Sequence, residues 1–137
     1  MPVLVDTSAL YALADVKAAE HGRVRSYVHS SSELLVLPVT VLPEADYLIS
    51  THLGSHIAAA LLRSVLSGEF RVEGLGHADL ARCLELMEAY ADTPIGLVDA
   101  SIVAIAERLH INHILTLDRR HFRMLRPRHV HAFTLLP

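Results

Sequence analysis

ILTLDRRHF, Ile114 to Phe122, runs an apolar tetrad into a carboxylate, two arginines and a histidine. Short apolar runs bounded by polar turns are the pattern of strands buried on both faces of a parallel sheet. Asp118 therefore stands where a core strand ends and a short helix, DRRHFRML, begins. Helix capping alone accounts for such an acid, because aspartate accepts backbone N–H bonds and favours the positive end of the helix dipole.

The same punctuation recurs along the chain. PVLVD (residues 2–6) reads as a first strand ending in Asp6, LLVLP (34–38) as a second, FRVEGL (70–75) as a short third, and VHAFTLL (130–136) as a closing edge strand. Between them, apolar residues at helical spacing predict helices in SALYALAD, AAEHGRVRSYVHSS, TVLPEADYLISTHL, GSHIAAALLRSVLSG, HADLARCLELMEAY and LVDASIVAIAERL. Pro43 is compatible with its helix because it falls in the first turn, where a missing N–H costs least. Strands alternating with helices predict an α/β fold with a mostly parallel central sheet flanked by helices. The 137 residues suit one domain spanning 1–137.

Composition narrows the classes. Apolar residues make up 52% of the chain and the mean hydropathy is +0.36, yet charge or proline interrupts every apolar stretch before the roughly 18 residues a membrane span needs. The excess is expected in the core and a partner interface, as in the stripes Leu61, Leu62, Val65, Leu66 and Leu84, Leu86, Met87. MPVLVDTS resembles no signal peptide, so a cytoplasmic protein is expected, with no membrane partner. Cys83 stands alone and reads as a buried filler thiol. A formal charge of −3 argues against a uniformly basic nucleic-acid coat but leaves room for a local patch.

Four acids share a predicted location. Ligands of open α/β sheets gather at the carboxyl ends of the strands, and Asp6 and Asp118 end two of them. Glu44 lies in the first turns of the helix after the second strand, and Asp99 at the start of an otherwise apolar helix. Capping explains Asp6, Asp99 and Asp118 singly, and a surface role explains Glu44. Capping does not require all four to meet at one rim, where their charges repel unless a cation sits among them. Oxygen donors without cysteine or histidine suit a hard ion, Mg2+ or possible Mn2+ substitution, rather than zinc. Such an ion polarises a scissile phosphate and acidifies water, the requirements of phosphoryl transfer. Thr7, Ser8 and Thr116 are candidates to hydrogen-bond the carboxylates, or are ordinary turn and strand polarity.

DTSAL with Asp6, LPEADYLI with Glu44, LVDASIVAIAERL with Asp99 and ILTLDRRHF with Asp118 together resemble the four motifs of PIN-domain ribonucleases, closest to the VapC-type toxins of bacterial toxin–antitoxin pairs. The resemblance spans nearly the whole chain in order, and no acid of the family pattern is missing. It implies a PIN-like (Rossmann-like) fold and a Mg2+-dependent endoribonuclease with Asp6, Glu44, Asp99 and Asp118 as catalytic, metal-holding residues. It further implies structured RNA as substrate, tRNA or ribosomal RNA including the sarcin-ricin loop, a VapB-type antitoxin that blocks the site, and a homodimer. Asp46, two residues beyond Glu44, points to a different helix face and is a weaker candidate. The competing reading is a catalytically silent PIN-like module that binds RNA or protein.

Arg119, Arg120, Arg123, Arg126 and Arg128 crowd one ten-residue stretch, with His121, His129 and His131 among or beside them. Guanidinium groups there are candidates for RNA phosphates, Arg119, Arg120 and Arg123 first, or form a solvated helix face. Ten histidines invite a zinc reading, but His52 and His56 flank Leu53 where a zinc-protease helix needs glutamate, and His129 and His131, on one strand face, have no evident third ligand. A dehalogenase-like phosphatase needs a second aspartate where Ser8 stands, and both it and a phospho-receiver domain need a late lysine, whereas the only lysine is Lys17. GLGHAD stops after two glycines, so neither phosphate-binding nor dinucleotide loops are present.

Overall fold

The computed structural model describes residues 1–137. Five strands, β1 (Val3–Val5), β2 (Leu35–Pro38), β3 (Arg71–Glu73), β4 (His113–Leu115) and β5 (Thr134–Leu136), form one sheet in the order β3-β2-β1-β4-β5. Every pairing is parallel, so the expected mostly parallel sheet is parallel throughout. The three inner strands are buried almost completely, whereas β3 and β5 are half exposed at the edges. That gradient follows the sequence: VLV, LVLP and HIL are nearly all apolar, while RVE and TLL carry polar residues.

Seven helices connect the strands: α1 (Thr7–Ala14), α2 (His21–Ser30), α3 (Val41–Leu53), α4 (Ser55–Leu66), α5 (His77–Ala89), α6 (Leu97–Leu109) and α7 (Arg119–Met124). α1 packs on α2 and α3, α3 on α4, and α5 on α6. Gly54 ends α3 and opens α4 with φ +103°, a conformation costly to any residue with a side chain, and a Cβ there would also meet the His56 ring at 3.1 Å. Cys83 is buried in α5, as a packing residue.

α6 is the central helix. Ala100 through Ala106 are all buried, which a helix shows only when it is covered nearly all round. Its far end is clamped by ions: Arg82 of α5 gives Glu107 two hydrogen bonds, 2.8 and 2.9 Å, and the Arg128 N–H adds a third at 2.9 Å. Burial would raise the Glu107 carboxyl, but these donors outweigh it and hold the group below its ordinary value. Arg108 similarly spans Asp79 and Glu73, joining α6 to α5 and β3.

Two of the boundaries that differ from the sequence expectation bear on the site. β4 ends at Leu115, so Thr116 and Leu117 form a connection before Asp118 caps α7. The closing strand begins at Thr134, because residues 128–132 form bends, and His129 and His131 therefore share no strand face. His129 Nε2 instead bonds the Ile111 carbonyl at 2.8 Å.

Replacing Ile105, fully buried in α6, by alanine is expected to destabilise the fold by about 2–5 kcal/mol, measured by urea unfolding. Truncation of exposed Val16, in the connection after α1, should change stability by less than about 0.5 kcal/mol in the same assay.

Candidate metal centre

Parallel strands bring their carboxyl ends to one edge of the sheet, and the four acids follow from that polarity. Asp6 follows β1 and caps α1, Asp118 follows β4 and caps α7, and Glu44 lies one turn into α3 after β2. α6 leads into β4 and must run back against the strand direction, which leaves its first turn, with Asp99, at the same edge. Asp99 does not cap its helix: Gly96 holds that position, so the carboxylate is not committed to backbone donors.

Asp6 is the fixed member, 5% exposed. Its Oδ1 accepts the Thr7 N–H at 2.8 Å, and its Oδ2 accepts the Thr116 hydroxyl at 2.7 Å and the Ser8 hydroxyl at 3.0 Å. The two hydroxyls are themselves held, Ser8 Oγ accepting the Leu117 N–H and Thr116 Oγ1 the Asp118 N–H, both at 2.9 Å. This network stitches the β1–α1 junction to the β4–α7 connection. Of the expected supporting hydroxyls, Thr7 differs: its backbone N–H reaches Asp6, while its Oγ1 is buried without a partner.

The electrostatics record crowding. Burial pushes the Asp6 carboxyl above its ordinary value, against the hydrogen bonds from Thr116, Ser8 and Thr7, and the Asp118 charge adds to the rise. Burial, with the charges of Asp6, Asp118 and Glu44, pushes Asp99 up to about 6, and only His121 opposes. Convergent carboxylates that resist ionisation fit a divalent cation, whose charge removes the penalty.

One oxygen each of Asp99 and Asp118 and one ring nitrogen of His121 lie within 4.8 Å of one another. His121, grouped by the sequence with the arginines, turns its ring back to the acids. Its i, i+3 spacing from Asp118 on a helical segment carries that signal. Glu44 is exposed on α3 and reaches the group through its charge on Asp99 rather than through a bond. Asp46 is exposed beside Leu42, Ala58 and Leu62 in a groove between α3 and α4, away from the acids. Thr40 and Ser101 were not singled out by pattern: Ser101 gives its proton to the Val98 carbonyl at 2.7 Å, so the Thr40 hydroxyl donates to it at 2.6 Å, pinning the start of α3 to the first turns of α6.

The arginine stretch divides. Arg119 bonds the Pro137 carbonyl at 3.2 Å and Arg128 pairs with Glu85 of α5 at 3.1 Å. Arg128 also meets Glu107, eight residues along α6 from Asp99, about 12 Å by helix rise, so it belongs to the opposite end of that helix. Arg120 and Arg123 are exposed on α7, one and two residues from His121 and two and five from the capping Asp118, and neither is among the ion-paired arginines.

Residues 3–126 match the family described as PIN domain. The chain is 37% identical over 135 residues to Ribonuclease VapC26 of Mycobacterium tuberculosis, covering 98% of this chain and all of that protein. Among solved structures it resembles M. tuberculosis VapC20, described as a sarcin-ricin loop cleaving toxin, with TM-score 0.80 and 24% identity over 86% of this chain and 91% of that one. It also resembles VapBC2 of Rickettsia felis bound to a promoter DNA fragment, with TM-score 0.72 and 14% identity over the full length of both chains. The chain belongs to the PIN-domain family and, within it, to the VapC ribonucleases.

Proposed function

We propose that this ribonuclease is a toxin that cuts structured RNA with a divalent ion held by Asp6, Glu44, Asp99 and Asp118. The observation that carries this reading is the elevated Asp99, up to about 6 through burial and three neighbouring carboxylates, an arrangement that costs stability and is repaid by a bound cation. When bound, Mg2+, or Mn2+ in its place, supplies a Lewis acid for the scissile phosphate and lowers the pKa of water. The protein's own contribution is position. Asp6 is immobilised by Thr116, Ser8 and the Thr7 N–H. Asp99 is carried on the best-packed helix of the fold, and the Thr40–Ser101 bond sets the helix bearing Glu44 against it. Arg120 and Arg123, exposed on the helix that Asp118 caps, would draw the RNA backbone toward the acids through phosphate contacts.

The ribosomal sarcin-ricin loop is the favoured substrate within structured RNA, supported by the description of the structurally similar VapC20. A VapB-type antitoxin is the expected partner, supported by the VapBC complexes among the similar structures. A homodimer is proposed on apolar surface that one chain leaves uncovered: Leu80, Leu84 and Met87 line one side of α5, and Leu62 and Leu66 stand out from α4. Of the two stripes expected from sequence, Leu86 alone is fully buried. No helix is long and apolar enough to cross a membrane, and RNA as substrate makes the cytoplasm the proposed site of action. The reading takes residues 1–137 as one working domain.

Purified protein is expected to cleave its RNA at one defined position, leaving a 5'-phosphate, and to lose cleavage on chelation. Asp6→Asn and Asp99→Asn should each lower the rate by about 100-fold or more; undiminished cleavage by both would leave only the silent binding module. Arg120→Ala with Arg123→Ala should weaken RNA binding across sequences, reducing the slope of log affinity against log salt by about 0.7 per lost contact.

The metal-free fold carries its own test. Because the folded-state pKa of Asp99 is raised to about 6 from 3.8, its proton-linked stability is fully present below about pH 4 and lost as pH rises through about 6. Metal-free Asp99→Asn is therefore expected to exceed the parent in stability by about 1–2 kcal/mol at pH 7, after allowance for solvent screening, and to match it at pH 4. Urea unfolding at the two pH values measures the difference, and added Mg2+ should stabilise the parent more than the variant.

A further inference from the structure

We propose that His121 supplies a nitrogen ligand to the divalent ion beside Asp99 and Asp118, and that this gives the site a preference for Mn2+ over Mg2+. The inference rests on the metal-dependent reading of the carboxylate edge and adds to it a donor outside the four acids.

His121 Nδ1 lies 2.8 Å from Asp118 Oδ2, and the His121 N–H reaches Asp118 Oδ1 at 3.2 Å. Both oxygens of one carboxylate are thus turned to one histidine, which holds the ring from two points on the first turn of α7. An ionised carboxylate only accepts, so without metal Nδ1 carries the proton of this contact, and an ion bound between the two groups would take that proton's place. A plain i, i+3 ion pair on α7 would account for the His121–Asp118 contact. It would not account for Asp99, which comes from a different helix and still brings an oxygen within 4.8 Å of the same two groups. His121 is half-exposed, so solvent reaches its side chain.

A nitrogen donor alters the choice of ion. Mg2+ prefers oxygen ligands in strict octahedral geometry and dehydrates reluctantly. First-row transition ions accept imidazole, and Mn2+ also suits the surrounding carboxylates.

The decisive measurement is pulsed electron paramagnetic resonance of the intact protein loaded with Mn2+. The parent protein should show nitrogen modulation from a directly bound imidazole, and 15N-histidine labelling should change it to the 15N pattern. His121→Asn should abolish the modulation, weaken Mn2+ binding by about 10-fold or more, and lower the Mn2+ to Mg2+ affinity ratio measured by competition. Bound Mn2+ without nitrogen modulation in the parent protein overturns the assignment, independently of whether any variant folds. Modulation that persists in His121→Asn overturns it as well. If Asp99→Asn leaves Mn2+ affinity unchanged, the ion is not at the carboxylate edge, and the metal-dependent reading falls together with this assignment.

Discussion

A buried carboxylate at the end of the central strand is the constraint around which the structure is arranged. Asp6 follows β1, the middle strand of five, and burial disfavours its charge. The cost is offset in part by three donors, and two of those, Ser8 and Thr116, are tied by backbone N–H groups to the connection that leads into α7. One residue thereby joins strand order to site geometry: pairing of β1 with β4 brings Thr116 to Asp6, and Thr116 in turn holds the backbone at Asp118. A buried polar network is worth having only when its members are satisfied, and the remaining orphan at this junction is the Thr7 hydroxyl.

α6 shows the opposite uses of charge at the two ends of one helix. At its far end Glu107 is surrounded by donors from Arg82 and Arg128, and its carboxyl is held below the ordinary range. At its near end Asp99 faces other carboxylates and is held above it. The first arrangement stabilises the fold, and the second draws on that stability to keep acids close together. Between them lies a run of seven buried residues, rigid enough to carry both. Functional sites that store unfavourable electrostatics need such a scaffold.

Much of this was legible along the chain because strand burial and strand ends leave local marks. VLV, LVLP and HIL read as covered strands, and DTS and LDRR mark where two of them stop. The extent of β4 was less legible, since Thr116 and Leu117 have strand-like character but are diverted by Thr116 bonding to Asp6 and to the Asp118 N–H. The closing strand was overextended for a related reason: His129 leaves the strand pattern to bond the Ile111 carbonyl. The arginines read as one patch, but Arg128 and Arg119 find partners that lie 43 and 18 residues away in sequence.

The sequence by itself determined the alternation of strand and helix, the parallel sheet that alternation requires, and the set of acids at strand and helix ends, because periodicity and turn chemistry act over a few residues. Only the tertiary structure decided which of those acids share a space with His121, that Asp99 is spared from capping, and that Thr7 contributes its N–H and not its hydroxyl. Those outcomes depend on distances between groups far apart in the chain, and electrostatic coupling and hydrogen bonding are set by separation in space.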